Sequence, residues 1–161
     1  MPVVRILGVD PGSRTTGFGI IDAAPGRVRY VVSGCLRLGS GPMAERLAEI
    51  FSSMSAIVTE YRPEQMAVEE VFVHRNPSSA LKLGQARGVA IAAAVAAGLP
   101  VAEYSPTLVK RTVVGTGRAD KVQVQHMVRR LLSLDGTPQA DAADALAVAL
   151  CHHHHRPGGE G

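Results

Sequence analysis

Three apolar runs separated by tight turns occupy residues 3–36, and they constrain the fold of this chain more than any other feature. Residues 3–9 form a continuous apolar run broken by Arg5, the pattern of a central strand. Residues 16–22 follow a short Gly/Ser turn, and residues 28–36 alternate loosely after Pro25-Gly26. Runs joined this tightly predict an antiparallel meander. From residue 43 onward the period changes. Leu47, Ile50, Phe51, Met54, Ile57 and Val58 share one stripe of a helix predicted over residues 43–61, which Pro63 ends. Residues 65–71 read as a short buried strand, and a helix capped by Ser78 or Ser79 runs to about Gly98. Residues 101–104 are predicted as a strand and residues 106–114 and 121–134 as helices. A last helix runs from near Pro138 to about His153. A meander followed by alternating helices and strands predicts an α/β fold with a mixed sheet. Neither a repeat nor a linker divides the chain, so residues 1–155 are expected to form one domain, with residues 156–161 as a disordered tail.

The core of such a domain must be aliphatic. Of the 161 residues 46% are apolar, yet only 4% are aromatic and none is Trp. Cys35 and Cys151 have neither metal-binding nor disulfide spacing and are expected to be small buried hydrophobes in a reducing compartment. The N-terminus lacks the basic, apolar and cleavage-site order of a secretory signal. The richest apolar stretch, residues 88–100, is too short and too alanine-rich for a membrane span. A cytoplasmic location is the expectation.

Carboxylates stand in this chain where an acid is out of place. Asp10 ends the first apolar run and opens Asp10-Pro11-Gly12-Ser13. Glu69 and Glu70 follow Met66-Ala67-Val68 on one strand, so they point to opposite faces and only one of them can join Asp10. Asp141 and Asp144 lie three apart in an alanine-rich helix, which puts them on one face and close enough to share a cation. Ala143, Leu146, Ala147 and Leu150 are left to pack the other side. Hard divalent cations take oxygen ligands, so acids at strand ends beside a helix pair predict a metal site. Charge is segregated as well. Residues 71–134 hold nine Lys/Arg against two acids, while the segments on either side are net acidic. A basic middle third beside an acidic cluster predicts a polyanionic substrate, nucleic acid first among them.

Other motifs are less specific. Phe72, followed by His74, Arg75 and Asn76, suits stacking on or wedging between bases, or else closes the core at a strand end. Gly12 and Gly17 are expected to relax the backbone around Asp10. Gly84, Gly88 and Ala92 recur at a spacing of four, a small-residue stripe for close packing inside the subunit or against a second copy. Four consecutive histidines at 152–155 cannot face one point on a helix and are expected to form a frayed helix end. The stretch from Asp10 to Gly17 is also similar to the first phosphate loop of the actin/sugar-kinase superfamily. That makes an ATP-dependent phosphotransferase the main rival, although it leaves the Asp141/Asp144 pair without a place and wants a second, duplicated domain.

Longer blocks decide between them. Ile6-Leu7-Gly8-Val9-Asp10-Pro11-Gly12-Ser13-Arg14, Glu69-Glu70-Val71-Phe72, and residues 76–88, 110–115 and 139–147 resemble the bacterial RuvC family of crossover junction endodeoxyribonucleases, the Holliday junction resolvases. The resemblance runs from about residue 4 to about residue 151. It implies an RNase H-like fold with a mixed five-stranded sheet flanked by helices, working as a homodimer on four-way DNA junctions. Each subunit would nick one of two strands of like polarity, leaving 5′-phosphate and 3′-hydroxyl ends, in homologous recombination and DNA repair. The resemblance selects Glu69 over Glu70. It makes Asp10, Glu69, Asp141 and Asp144 the catalytic, metal-binding carboxylates, holding Mg²⁺ (or Mn²⁺ as substitute), two ions per site. Some family members carry His at the position of Asp144; this chain keeps the acid. Lys110 and Lys121 match basic residues important for DNA or catalysis, with Lys121 placed among the catalytic groups, and Phe72 matches a junction-probing aromatic. Arg75, Asn76, Arg111 and Arg118 complete the expected DNA-binding set. The RuvA–RuvB branch-migration complex is the implied partner. The His-rich end matches no family role. A non-catalytic junction-binding module and a nuclease acting on RNA precursors remain as alternatives.

Overall fold

The predicted meander forms, and its last strand is the long edge of a larger sheet. In a computed structural model, which describes residues 2–71 and 76–157, β1 (Val4–Asp10), β2 (Thr15–Ala24) and β3 (Arg27–Arg37) pair antiparallel. Phe72 and Arg75, and residues 158–161 of the expected tail, lie outside the described residues. After helix α1 (Met43–Tyr61) the chain returns as β4 (Gln65–Glu69), parallel to β1. Helix α2 (Pro77–Ala96) leads to β5 (Val101–Tyr104), parallel to β4, which completes the order β3-β2-β1-β4-β5. Helices α3 (Pro106–Val114), α4 (Lys121–Leu131) and α5 (Ala140–His155) follow. This mixed five-stranded sheet with helices on both faces is the RNase H-like fold.

Side chains alternate across a strand, so neighbouring residues of β1 serve different layers. Ile6, with Ile21, Ala23 and Ala67, packs under α3, α4 and α5; Leu7 and Val9, with Ile20, Met66 and Val68, pack under α1 and α2. Arg5, which interrupts the first apolar run, is directly opposite Asp22 on β2 and donates to both of its carboxylate oxygens, at 2.8 and 2.9 Å. Those hydrogen bonds, joined by one from Arg29, hold the buried Asp22 carboxyl below its ordinary value. On α1 the expected stripe is buried at Ile50, Met54, Ile57 and Val58, whereas Phe51 is exposed. Among the described residues no helix is long and apolar enough to cross a membrane.

The contact between α5 and the sheet depends on glycines. Gly8 and Gly19 are paired across β1 and β2, and Gly17 lies one pleat further on. A Cβ at Gly8 would run into the Ala145 carbonyl oxygen and the Ala149 side chain. One at Gly17 would meet the Asp141 carbonyl, and one at Gly19 the Leu146 side chain. With alanines on the helix side and bare backbone on the sheet side, α5 lies directly on β1 and β2. Gly17 therefore serves close approach rather than an unusual dihedral, and Gly12 likewise has its Cβ position filled by the Thr15 carbonyl.

Three local expectations change. The cap of α2 is Asn76, whose side-chain oxygen accepts from the Ser78 and Ser79 amides; Pro77 takes the first helical position, which makes the residue before it the cap. The stripe of Gly84, Gly88 and Ala92 does not pack inside the subunit. All three are exposed, both glycines have open space where a Cβ would stand, and the buried face of α2 is Ala86, Ala90, Ala93 and Ala94. The histidine run is no frayed end, because α5 stays helical through His155 with His152 and His153 buried. The Gln65 oxygen at 2.6 Å can only accept, so His152 donates from Nε2 and accepts the Tyr104 hydroxyl at Nδ1, also at 2.6 Å. Burial pushes the imidazole down to about 4, and the ring is a neutral strut between α5 and strands β4 and β5. Cys151 is buried as expected and Cys35 half-buried.

Candidate metal centre and nucleic-acid interface

Because β1 and β4 are adjacent and parallel, their final residues, Asp10 and Glu69, emerge at the same edge of the sheet. The glycine track lowers the first turns of α5 onto that edge. Carboxylate oxygens of Asp10, Asp141 and Asp144 thus come within 4.8 Å of one another. Glu69 stands outside this tightest trio but shares with Asp10 and Asp144 the wall of a cavity of about 490 Å³. Lys110 from α3, with Asp120 and Lys121 at the start of α4, also lines it, over a base of Val109, Val124 and Ala147. Glu70 is exposed and outside this wall. Asp120 caps α4 through a reciprocal pair with Gln123, which sets Lys121 at the first helical position. From there its Nζ reaches to 3.5 Å from Asp144 Oδ2.

Gathering acids in one place has an electrostatic consequence. Burial first, then the Asp144, Asp141 and Glu69 carboxylates, push the Asp10 carboxyl up to about 8, with Lys121 opposing. Glu69 is also raised, by burial and by Asp144, against Lys110 and Lys121. Burial raises Asp144 as well, while Lys121 pulls it back. Two lysines do not neutralise four carboxylates. An all-oxygen donor set under this mutual repulsion is what a hard divalent cation relieves, so the residues fit such an ion.

The loop after Asp10 is held by two residues that motif reading passes over. Thr16 is fully buried; its hydroxyl donates to the Gly12 carbonyl at 2.9 Å and accepts the Gly12 amide at 3.2 Å. Arg46, buried on α1, donates to the Ser13 carbonyl at 3.0 Å and to the Gly41 carbonyl at 2.9 Å. The signal for Arg46 is its place four residues before Ile50 on the apolar stripe, where a charge needs a partner. Of the remaining expected residues, Arg111 and Arg118 are exposed and outside the cavity wall, and the side-chain oxygen of Asn76 is engaged in its cap.

Comparison with known proteins matches this geometry to a family. The family model described as Crossover junction endodeoxyribonuclease RuvC matches residues 6–152. The chain belongs to the RuvC family. It is 62% identical to the crossover junction endodeoxyribonuclease RuvC of Marinobacter nauticus, over 92% of this chain and 85% of that one. Identity to the RuvC of Tolumonas auensis is 59%, over 92% of this chain and 86% of that one. Among solved structures it superposes on RuvC of T. thermophilus in complex with a Holliday junction substrate. That match has a TM-score of 0.87 and 36% identity, covering 92% of each chain. Asp10, Asp141 and Asp144 all fall within the part of the chain that RuvC matches.

Proposed function

We propose that the chain is a metal-dependent endodeoxyribonuclease that resolves four-way (Holliday) DNA junctions by paired symmetric nicks. The products would carry 5′-phosphate and 3′-hydroxyl ends, and the setting would be homologous recombination and DNA repair. The observation that carries the reading is the acidic trio within 4.8 Å, flanked by Lys110 and Lys121, in a chain of the RuvC family.

Asp10, Glu69, Asp141 and Asp144 are the residues that would hold Mg²⁺, or Mn²⁺ in its place, two ions per site. When bound, such ions supply an activated water and stabilise the leaving 3′-oxygen during in-line displacement at phosphorus. The protein's part is to aim oxygens from three elements at one point and to surround them with positive charge. Lys121 is largely exposed beside Asp144, and its ammonium lies where it offsets charge on a phosphate drawn to the cluster. Lys110 lines the same wall, and Arg111 and Arg118 extend the basic surface along and beyond α3. Phe72, Arg75 and Asn76 belong to the same DNA-binding set; Asn76 keeps its amide N–H₂ for DNA while its oxygen caps α2.

Two symmetric nicks in a two-fold junction ask for two sites related by a two-fold axis, so the active form is a homodimer. The domain spans residues 1–155 with 156–161 as a tail, acts in the cytoplasm, and works with the RuvA–RuvB branch-migration complex. Nicking of a four-way junction, a linear duplex and a structured RNA, assayed side by side with Mg²⁺ and with EDTA, tests the reading. Cleavage of the junction alone, and only with metal, is expected. Equal cutting of the duplex or the RNA removes junction resolution, and ATP turnover without DNA favours the phosphotransferase reading.

A further inference from the structure

Each carboxylate of the site is held by something besides its own strand or helix, and at Glu69 the pairing with β5 is joined by an arginine. Asp10 has the Thr16 and Arg46 contacts in the loop that follows it, and Asp141 and Asp144 ride on α5 against the glycine track. Glu69 is the last residue of β4, paired with Tyr104 at the end of β5, and the Glu70 amide donates to the Tyr104 carbonyl at 2.8 Å. Arg87 reaches Glu69 from α2. Its Nε donates to the Glu69 carbonyl oxygen at 3.3 Å, and its Nη2 pairs with the Glu103 carboxylate on β5. One guanidinium thereby links β4, β5 and α2 beside the site. The Arg87 side chain is 17% exposed, whereas Glu103 is 49% exposed, so the arginine is the enclosed partner and the glutamate orients it from the surface.

We propose that Arg87, oriented by Glu103, is a positioning residue that fixes the end of β4 and so sets where the Glu69 carboxylate meets the metal site. The inference rests on the reading of Glu69 as a metal ligand. The direction of a side chain follows its backbone, and a ligand set for a small hard cation tolerates displacements of only about 0.5 Å. Without Arg87, the pairing with β5 alone holds the strand end against the repulsion among Glu69, Asp10 and Asp144. A planar guanidinium suits the task because it donates in two fixed directions at once, to a carbonyl and to a carboxylate; a lysine ammonium has the charge without the fork. Nothing in this arrangement requires Arg87 to touch DNA or a metal ion. It acts through Glu69.

The test compares the parent chain with Arg87→Lys and Glu103→Gln. Mn²⁺ binding to the DNA-free protein is read from the electron paramagnetic resonance signal of free Mn²⁺, and the Mg²⁺ dependence of single-turnover junction cleavage is measured alongside. Arg87→Lys keeps the charge, so junction affinity in EDTA stays within about twofold of the parent. Its Mn²⁺ affinity falls and its half-saturating Mg²⁺ rises, each roughly tenfold, the usual scale for losing a group that orients a ligand. Glu103→Gln moves both in the same direction by less. A purely structural role lowers the thermal midpoint and leaves the half-saturating Mg²⁺ in place. That result, or Mn²⁺ affinity equal to the parent in both variants, overturns the proposal. Should the parent itself fail to cut a junction, the nuclease reading falls, and the Mn²⁺ isotherms still decide whether Arg87 shapes the site.

Discussion

Asp10 concentrates the conflict built into this site. In metal-free protein, burial and three neighbouring carboxylates hold its carboxyl up to about 8, against an ordinary value of 3.8 in the unfolded chain. Between those two values the folded state binds more protons than the unfolded state, so this residue's contribution lowers stability as pH rises. Above about 8 both states are ionised and the loss is complete. A bound cation takes the place of the proton, so metal binding releases protons and tightens as pH rises towards 8. Asp10→Asn removes the conflict together with the ligand. In EDTA at pH 8 the thermal midpoint of this variant is expected above the parent's, by about 2–4 °C for each kcal/mol relieved, and the gap narrows at pH 5. Its Mg²⁺-dependent cleavage is expected to fall roughly a thousandfold or more, the equivalent of about 4 kcal/mol of lost transition-state stabilisation. Paired melting scans at the two pH values check the first part. A variant less stable than the parent at both would show that Asp10 is compensated in a way the geometry does not contain.

At the scale of elements, the approach of α5 to β1 and β2 decides whether Asp141 and Asp144 reach Asp10. Gly8 and Gly84 give the contrast. A methyl at Gly8 strikes the Ala145 carbonyl, which is backbone and cannot swing aside, whereas one at Gly84 meets open space on a helix. Gly8→Ala is expected to destabilise by at least about 1–3 kcal/mol and to lose cleavage as α5 lifts. Gly84→Ala is expected to stabilise the folded subunit by about 0.5–1 kcal/mol without moving α5. Denaturant titrations of the two variants check this, and similar losses in both would contradict it. Much of the element pattern is legible in the sequence, because periodicity reports which face is buried: α1, β5 and α3 lie where spacing and proline place them. The purpose of Gly8 and Gly17 is not legible, since it depends on which distant helix crosses them. The same limit applies at the end of α5. Four histidines look polar along the chain, but Tyr104 and Gln65, contributed by other strands, supply the partners that let His152 be buried. Two carboxylates on one helix face are legible as a pair from their spacing alone; the choice of Glu69 over Glu70 is not, and rests on resemblance, beside which the structure places Glu69 and not Glu70 in the cavity with the lysines.

For the whole molecule, the same segregation of charge seen along the sequence appears in space, with lysines of α3 and α4 bordering an acidic centre on the sheet edge. A polyanion is attracted by the border and is repelled by the centre until cations occupy it, which makes metal a condition for productive binding at the scissile phosphate. The proposed homodimer belongs to this scale too. The exposed stripe of Gly84, Gly88 and Ala92 on α2 permits a second copy to approach closely, and Leu81 and Val95, 70% and 56% exposed, extend it with apolar surface. Gly88→Arg is expected to sediment as a folded monomer, since a long charged side chain fills the approach; an unchanged dimer would place the interface elsewhere. We ascribe the cutting of four-way junctions to the cluster of Asp10, Glu69, Asp141 and Asp144. That assignment is tested most directly by mapping products of a synthetic junction cut by the parent and by Asp141→Asn in Mg²⁺, with junction affinity of both measured in EDTA. Paired nicks at symmetry-related positions are expected from the parent, and from the variant no nicks at undiminished affinity. Full turnover by Asp141→Asn would contradict it.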